Sequence, residues 1–209
     1  RSTDEFNFVI EAGTDHITIN PLDDSNNLIE ADVWHVGELL LDQDQTDGNT
    51  WFAIKQDGLS FDWGLGGRPE DASGWNFMIH PDVALAINFE GGIGETTMDL
   101  SQFHLTDLDL DLGVGSIDII LPIPQGDYSV DINGGVGEVT IDIPDDVEVE
   151  VVVSTGIGDA DLPSDFVQVS GDEDNFLGVD GTWQTPGFEQ AENTITIIFD
   201  GGVGSFELK

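Results

Sequence analysis

The chain has 209 residues, and its 43 acidic residues against four Lys and Arg give a formal charge of −39. Such a surface repels nucleic acid, which needs clustered Lys and Arg, and anionic lipid, while it favours hydrated cations and basic partners. Twelve Phe, five Trp and many Val and Ile in periodic runs argue against acidic disorder, and the chain is long enough to bury a core.

Cysteine is absent, so neither a disulfide framework nor a thiolate metal site is available. No apolar run approaches transmembrane length and no signal peptide is visible. Because Arg1 is not an initiator Met, an upstream segment, a signal or anchor, is expected to have been removed.

Taken in chain order, the sequence keeps returning to one frame. Gly13 precedes His16-Ile17-Thr18-Ile19, and 22 residues on His35-Val36-Gly37 precedes Leu39 and Leu41. A further 22 reach Asp57, ahead of Phe61 and Trp63. The longer gap that follows holds Gly64-Leu65-Gly66-Gly67-Arg68-Pro69, expected as a protruding loop. Four clear copies of a Gly-aliphatic-Gly phrase come next: Gly92-Ile93-Gly94, Gly113-Val114-Gly115, Gly135-Val136-Gly137 and Gly156-Ile157-Gly158. Gly178-Val179 is a weaker copy, and Gly202-Val203-Gly204 closes the chain. Intervals of 21, 22 and 21 residues between the first four leading glycines mark a repeat architecture.

Each phrase joins two alternating runs. Leu108, Leu110, Leu112 and Val114 run on even numbers, then Ile117, Ile119 and Leu121 on odd. A slip of one would flip every side chain, unless a bulge or corner at the glycines absorbs it and keeps both runs on one core. Two strands and two turns per period predict one coil of a flattened, parallel β-solenoid. The positions 13, 35, 57, 92, 113, 135, 156, 178 and 202 suggest about nine coils, a rod somewhat over ~40 Å long. An antiparallel meander is the rival. Residues 1–74 read as an irregular N-terminal β region continuous with the solenoid, and 75–209 as its regular repeats.

Chemistry is harder to find. The phrase lacks the metal-binding Asp and the period of the calcium nonapeptide repeat, and Gly64-Leu65-Gly66 lacks the Gly-Lys-Ser/Thr of a phosphate loop. Outward acids form columns: Asp109 with Asp131, then Glu90, Asp111 and Asp200, and after the glycines Thr97, Asp118, Thr140 and Asp161. A solvated face with Thr keeping acids apart is the preferred reading, with calcium weighed as a stabilising ion. His16, His35, His80 and His104 are scattered without ligand spacing. Trp34, Trp51, Trp63 and Trp75 fall in the first 80 residues, as core and cap of the rod or as a sugar-stacking surface. No catalytic, cofactor-binding or metal residues are assigned.

The run Trp75-Asn76-Phe77-Met78-Ile79-His80-Pro81-Asp82-Val83-Ala84-Leu85, with GGIGETTMDL, LDLDLGVGSIDIILP and NGGVGEVTIDIP after it, resembles the bacterial toast-rack family. That family is related to the C-terminal domain of LiaF-like envelope stress proteins and to candidate β-helical adhesins. Residues Pro186 to Ile195, then GGVGSFEL, are similar to its closing pattern. The likeness implies a stacked all-β structure at the bacterial envelope, with no catalytic residues to carry over. Members are often attached to membrane segments, and this chain shows none. The expectation is a non-enzymatic, extracytoplasmic interaction domain in stress sensing or adhesion. Its partner would be a protein or envelope component, without nucleic acid or direct membrane insertion. The alternative is a carbohydrate-binding or carbohydrate-active protein with Trp and acids gathered in one groove.

Overall fold

The computed structural model describes residues 4–35, 37–57, 74–171 and 178–209. Among the described residues thirteen strands carry the fold: β1 (Glu5–Pro21), β2 (Ile29–Val33), β3 (Glu38–Thr46), β4 (Asn49–Asp57), β5 (Trp75–Ile79), β6 (Ala84–Asp99) and β7 (His104–Ile120). They continue with β8 (Tyr128–Asn133), β9 (Val136–Asp142), β10 (Glu148–Asp161), β11 (Val167–Gly171), β12 (Asp180–Gln184) and β13 (Thr194–Leu208). The long strands bend at their glycines into two arms. First arms stack in the order β3-β4-β1-β6-β7-β8-β13-β10-β12-β11, and second arms as β2-β5-β1-β6-β7-β9-β13-β10. Nine strand spacings along the first arms make a rod of about 43 Å.

From β4 and β5 through to β10 the neighbours are parallel and in register, apart from a one-residue shift of β6 against β7 between Leu85 and Ala86. This is the stacked β-solenoid expected from the period, and the meander is excluded for these rungs. The core lies between the two arms. In β7 the inward Leu108, Leu110, Ile117 and Ile119 are all buried, so the corner absorbs the slip in parity as required. Val114 corrects that reading. Counted with the inward run, it stands 50% exposed at the tip of the corner, because the chain turns before its side chain can face the core.

The nine-coil frame is corrected at two positions and in its order. At 35 the chain does turn, but it runs backwards: β2 is antiparallel to β5, and β3 to β4. Asp47 and Gly48, at φ 52 and 94, reverse the chain between the paired Thr46 and Asn49, the geometry of a two-residue primed hairpin turn. At 178 the repeat is replaced by an antiparallel hairpin, with β12 on the first arm of β10 and β11 outside it. The rung beside the second arm of β1 is β5, and the frame counted from 57 leads into Phe61 and Trp63. Those residues, and the loop expected at 64–69, lie outside the described residues.

Nor do the coils stack in chain order. β1 sits between β4/β5 and β6, while β13 sits between β8/β9 and β10. Each parallel rung presents the same kind of ladder with apolar side chains facing inward, so period alone carries no order. Residues 143–147 link β9 to β10 across the rung that β13 fills. Five residues reach up to about 17 Å, enough for two strand spacings of about 4.8 Å. Asp127 fixes the entry of β13 by accepting hydrogen bonds from the backbone N–H and hydroxyl of Thr194, both at 3.0 Å. Glu148 at the start of β10 accepts from the N–H of Gly187 at 3.1 Å and from the hydroxyl of Thr185.

Candidate interaction surface along the glycine corners

The corners stack so closely that they exclude side chains. A Cβ added to Gly115 would lie 1.8 Å from the carbonyl oxygen of Gly94, and one on Gly137 would lie 1.6 Å from that of Gly115. The same holds for Gly204 on Gly137 at 1.8 Å and Gly158 on Gly204 at 1.9 Å. Backbone approach from rung to rung is therefore the main demand on these glycines. Gly135 adds a φ of 88° that disfavours any side chain.

Between each pair of glycines one aliphatic side chain is pushed outward. Ile93, Val114, Val136, Val203 and Ile157 are 61, 50, 51, 46 and 54% exposed. Strand register places them on consecutive rungs in that spatial order. Five rungs at about 4.8 Å form an apolar ridge some 19 Å long. The ridge residues and corner glycines share an apolar crease of about 50 Å³, partly open to solvent, with Phe89, Leu112, Ile117 and Phe199. The sequence reading used the glycines and passed over the residues between them. The available signal was that every one is Ile or Val.

Charge flanks the ridge on both sides. Before the glycines, one register column reads Glu11, Glu90, Asp111, Asn133, Asp200, Ser154. After them, another reads His16, Glu95, Ser116, Glu138, Ser205, Asp159. Glu90, Asp111, Asp200, Glu95, Glu138 and Asp159 are all exposed. Of the described Lys side chains, Lys55 sits on Glu11, at the β1 end of the first column and one rung beyond the ridge, and Lys209 on Glu207 at 3.2 Å.

The expected acid columns exist in modified form. Asp109 and Asp131 are direct neighbours, as are Glu90 and Asp111, but Asn133 separates Asp111 from Asp200. The second-arm column runs Thr97, Asp118, Thr140 and then Glu207 before Asp161, because β13 intercalates there. Polar neighbours absorb part of the repulsion. Asn88 donates to Asp109 at 3.1 Å, Ser129 to Asp107 at 2.9 Å, and Gln184 to Glu150 at 2.6 Å. Partial burial, then the charges of Asp111, Asp107 and Asp131, still push the Asp109 carboxyl above its ordinary value, against the Asn88 bond.

Among the described residues, no three His, Asp or Glu side chains gather as a metal site. The histidines stay apart; His16 meets Glu95 at 3.7 Å and His80 meets Asp82 at 4.0 Å. Trp75 is buried, donates to the Trp34 carbonyl at 2.9 Å and meets Phe77 edge-on. Trp34 and Trp51 are half-buried, and Trp63 lies outside the described residues. None of the described tryptophans lines the crease, so the gathering of Trp and acid that a sugar site requires is absent from it.

Sequence comparisons agree with this architecture. A family model described as the N-terminal domain of toast_rack matches residues 2–142. A second, described as the C-terminal domain of LiaF in the response to cell wall-active antibiotics, matches residues 92–208. A crystal structure of a candidate cell adhesion protein from Clostridium sporogenes ATCC 15579 superposes with a TM-score of 0.76 at 21% identity, covering 100% of this chain and 93% of that one. At that identity the likeness speaks to fold. No curated protein matches the chain.

Proposed function

The chain belongs to the toast-rack family, with a LiaF-like C-terminal half, and from that premise we propose that it is a non-enzymatic, extracytoplasmic interaction domain of the bacterial cell envelope, serving stress sensing or adhesion. The observation that carries this reading is the in-register aliphatic ridge exposed on an otherwise acidic rod. Solvent-exposed apolar side chains arranged contiguously mark contact surfaces far more often than isolated ones do. A stack of hydrogen-bonded rungs holds that ridge rigidly, which limits the entropy lost on binding. The matched families supply the setting, since one is described by a response to cell wall-active antibiotics. No helix among the described residues is long and apolar enough to cross a membrane. The carbohydrate reading loses its main support with Trp75 buried and no described tryptophan lining the crease.

The test compares retention of the full chain on envelope preparations before and after protease treatment, alongside hydrolysis assays on glycans and peptides. Protease-sensitive retention without turnover is the expected result. Turnover, or retention that survives protease and is competed by free glycan, would overturn the proposal.

A further inference from the structure

The geometry points to the occupant of the ridge: we propose that it docks an extended basic segment of a partner protein, with an aliphatic residue at every third position and Lys or Arg between. This deepens the interaction reading and rests on it.

Corner stacking alone does not require aliphatic side chains. Threonine has nearly the outline of valine and the same β-branched preference. At the equivalent register position of β1, beside Ile93, the residue is Thr14. Five consecutive rungs nevertheless carry Ile93, Val114, Val136, Val203 and Ile157, each about half exposed. Leaving that apolar area in water is unfavourable unless a partner covers it.

Charge selects the partner. Exposed Glu90, Asp111 and Asp200 line one side of the ridge and Glu95, Glu138 and Asp159 the other. A second copy docked ridge to ridge would oppose these carboxylates to their own kind, on chains of charge −39. Cations placed on both sides of an apolar strip meet complementary charge along its whole length.

Spacing selects the conformation. Polyproline II advances about 3.1 Å per residue with three residues per turn, so every third side chain returns to one face after about 9.3 Å. Two rungs of the rod span about 9.6 Å. Such a segment would seat aliphatic side chains beside alternate rungs, while the two residues between project to either side, toward the two carboxylate columns.

Calorimetry on the full chain tests this with three peptides: (Val-Lys-Lys)₃, (Ser-Lys-Lys)₃ and (Val-Glu-Glu)₃. The first is expected to bind at least about tenfold more tightly than the second, a tenfold ratio being the smallest clear step on the affinity scale, and to weaken with salt. The third should not bind. The triple variant Val114→Thr/Val136→Thr/Val203→Thr should lose at least about tenfold for (Val-Lys-Lys)₃, keep its melting transition and leave the (Ser-Lys-Lys)₃ affinity unchanged. Equal affinity for the first two peptides, or an unaffected triple variant, would reduce the binding to charge attraction and overturn the proposal. Should the triple variant fail to fold, NMR shifts on titrating the wild-type chain decide instead: changes centred on residues 93, 114, 136, 157 and 203 support the ridge, and changes on the acidic faces away from it overturn it. Protease-sensitive retention by envelope preparations with no peptide binding would remove this occupant and leave the interaction domain standing.

Discussion

The middle of the rod and its ends solve the same problem differently. From β1 to β10 each rung lies against another of its own kind, and glycine meets glycine at every corner. At one end a reversed coil, β2 and β3, covers both arms of β4/β5. At the other, among the described residues, the β11–β12 hairpin covers the first arm of β10. A parallel ladder left open invites pairing with another chain, and an antiparallel cap ends the repetition. Repetition therefore specifies the middle, whereas the ends depend on hairpin chemistry and aromatic packing.

The largest expected effect lies in the middle. Gly137→Ala would place a methyl 1.6 Å from the Gly115 carbonyl oxygen, and Gly135→Val a branched side chain 2.5 Å from that of Gly113 at a φ of +88°. Backbone cannot yield there without parting the rungs, so either change is expected to cost more than about 3 kcal/mol or to prevent folding. Gly126→Ala, in a turn where an added Cβ meets nothing within 4 Å, should stay within about 0.5 kcal/mol. Urea unfolding of the three variants checks this; similar midpoints for Gly126→Ala and Gly137→Ala would contradict rung-to-rung exclusion.

A smaller difference separates the two ends. Trp75 is 1% exposed and sits with Phe77, Phe8, Phe6 and Phe52 in the aromatic cluster beneath the reversed coil. Trp75→Ala should cost about 3–5 kcal/mol, in the range of large-to-small core changes. Trp183, on the hairpin, is half-buried and packs at the margin of the core. Trp183→Ala should cost about 1–2 kcal/mol, in keeping with partial burial. Equal losses in the two variants would mean that the ends are held alike.

Much of this was legible in the sequence, and the misses have physical causes. The period, the two arms and the absorbed slip follow from glycine spacing and alternation, because those patterns encode which side chains face the core. Spatial order is not encoded that way: β1 and β13 fit their neighbours in the same register as any other coil. The reversal at β3 did leave a signal in Asp47-Gly48, a primed-turn pair between two strands, which counting in steps of 22 concealed. The ridge was hidden differently. Val114 extends the even-numbered apolar run by one, and only the corner shows that this last member leaves the core.

The smallest effect concerns the carboxylates of the middle rungs. The Asp109 column reads Val9, Asn88, Asp109, Asp131, Ile198, Val152, so its acids meet only at the centre and neutral residues stand toward both ends. Partial burial and the charges of Asp111, Asp107 and Asp131 raise the Asp109 pKa in the folded state. A carboxyl with a raised folded pKa binds more protons folded than unfolded, so stability falls as pH rises from the ordinary carboxyl value through the raised one. Above that window the penalty is constant, and below it the group is neutral in both states. Asp109→Asn removes the penalty and keeps an oxygen to accept from Asn88. The variant is expected to show a slightly higher urea midpoint than wild type at pH 7, and the difference should vanish at pH 3. A lower midpoint at pH 7 would mean that Asp109 is stabilised where it stands, and that the crowding of acids at mid-rod costs the fold nothing.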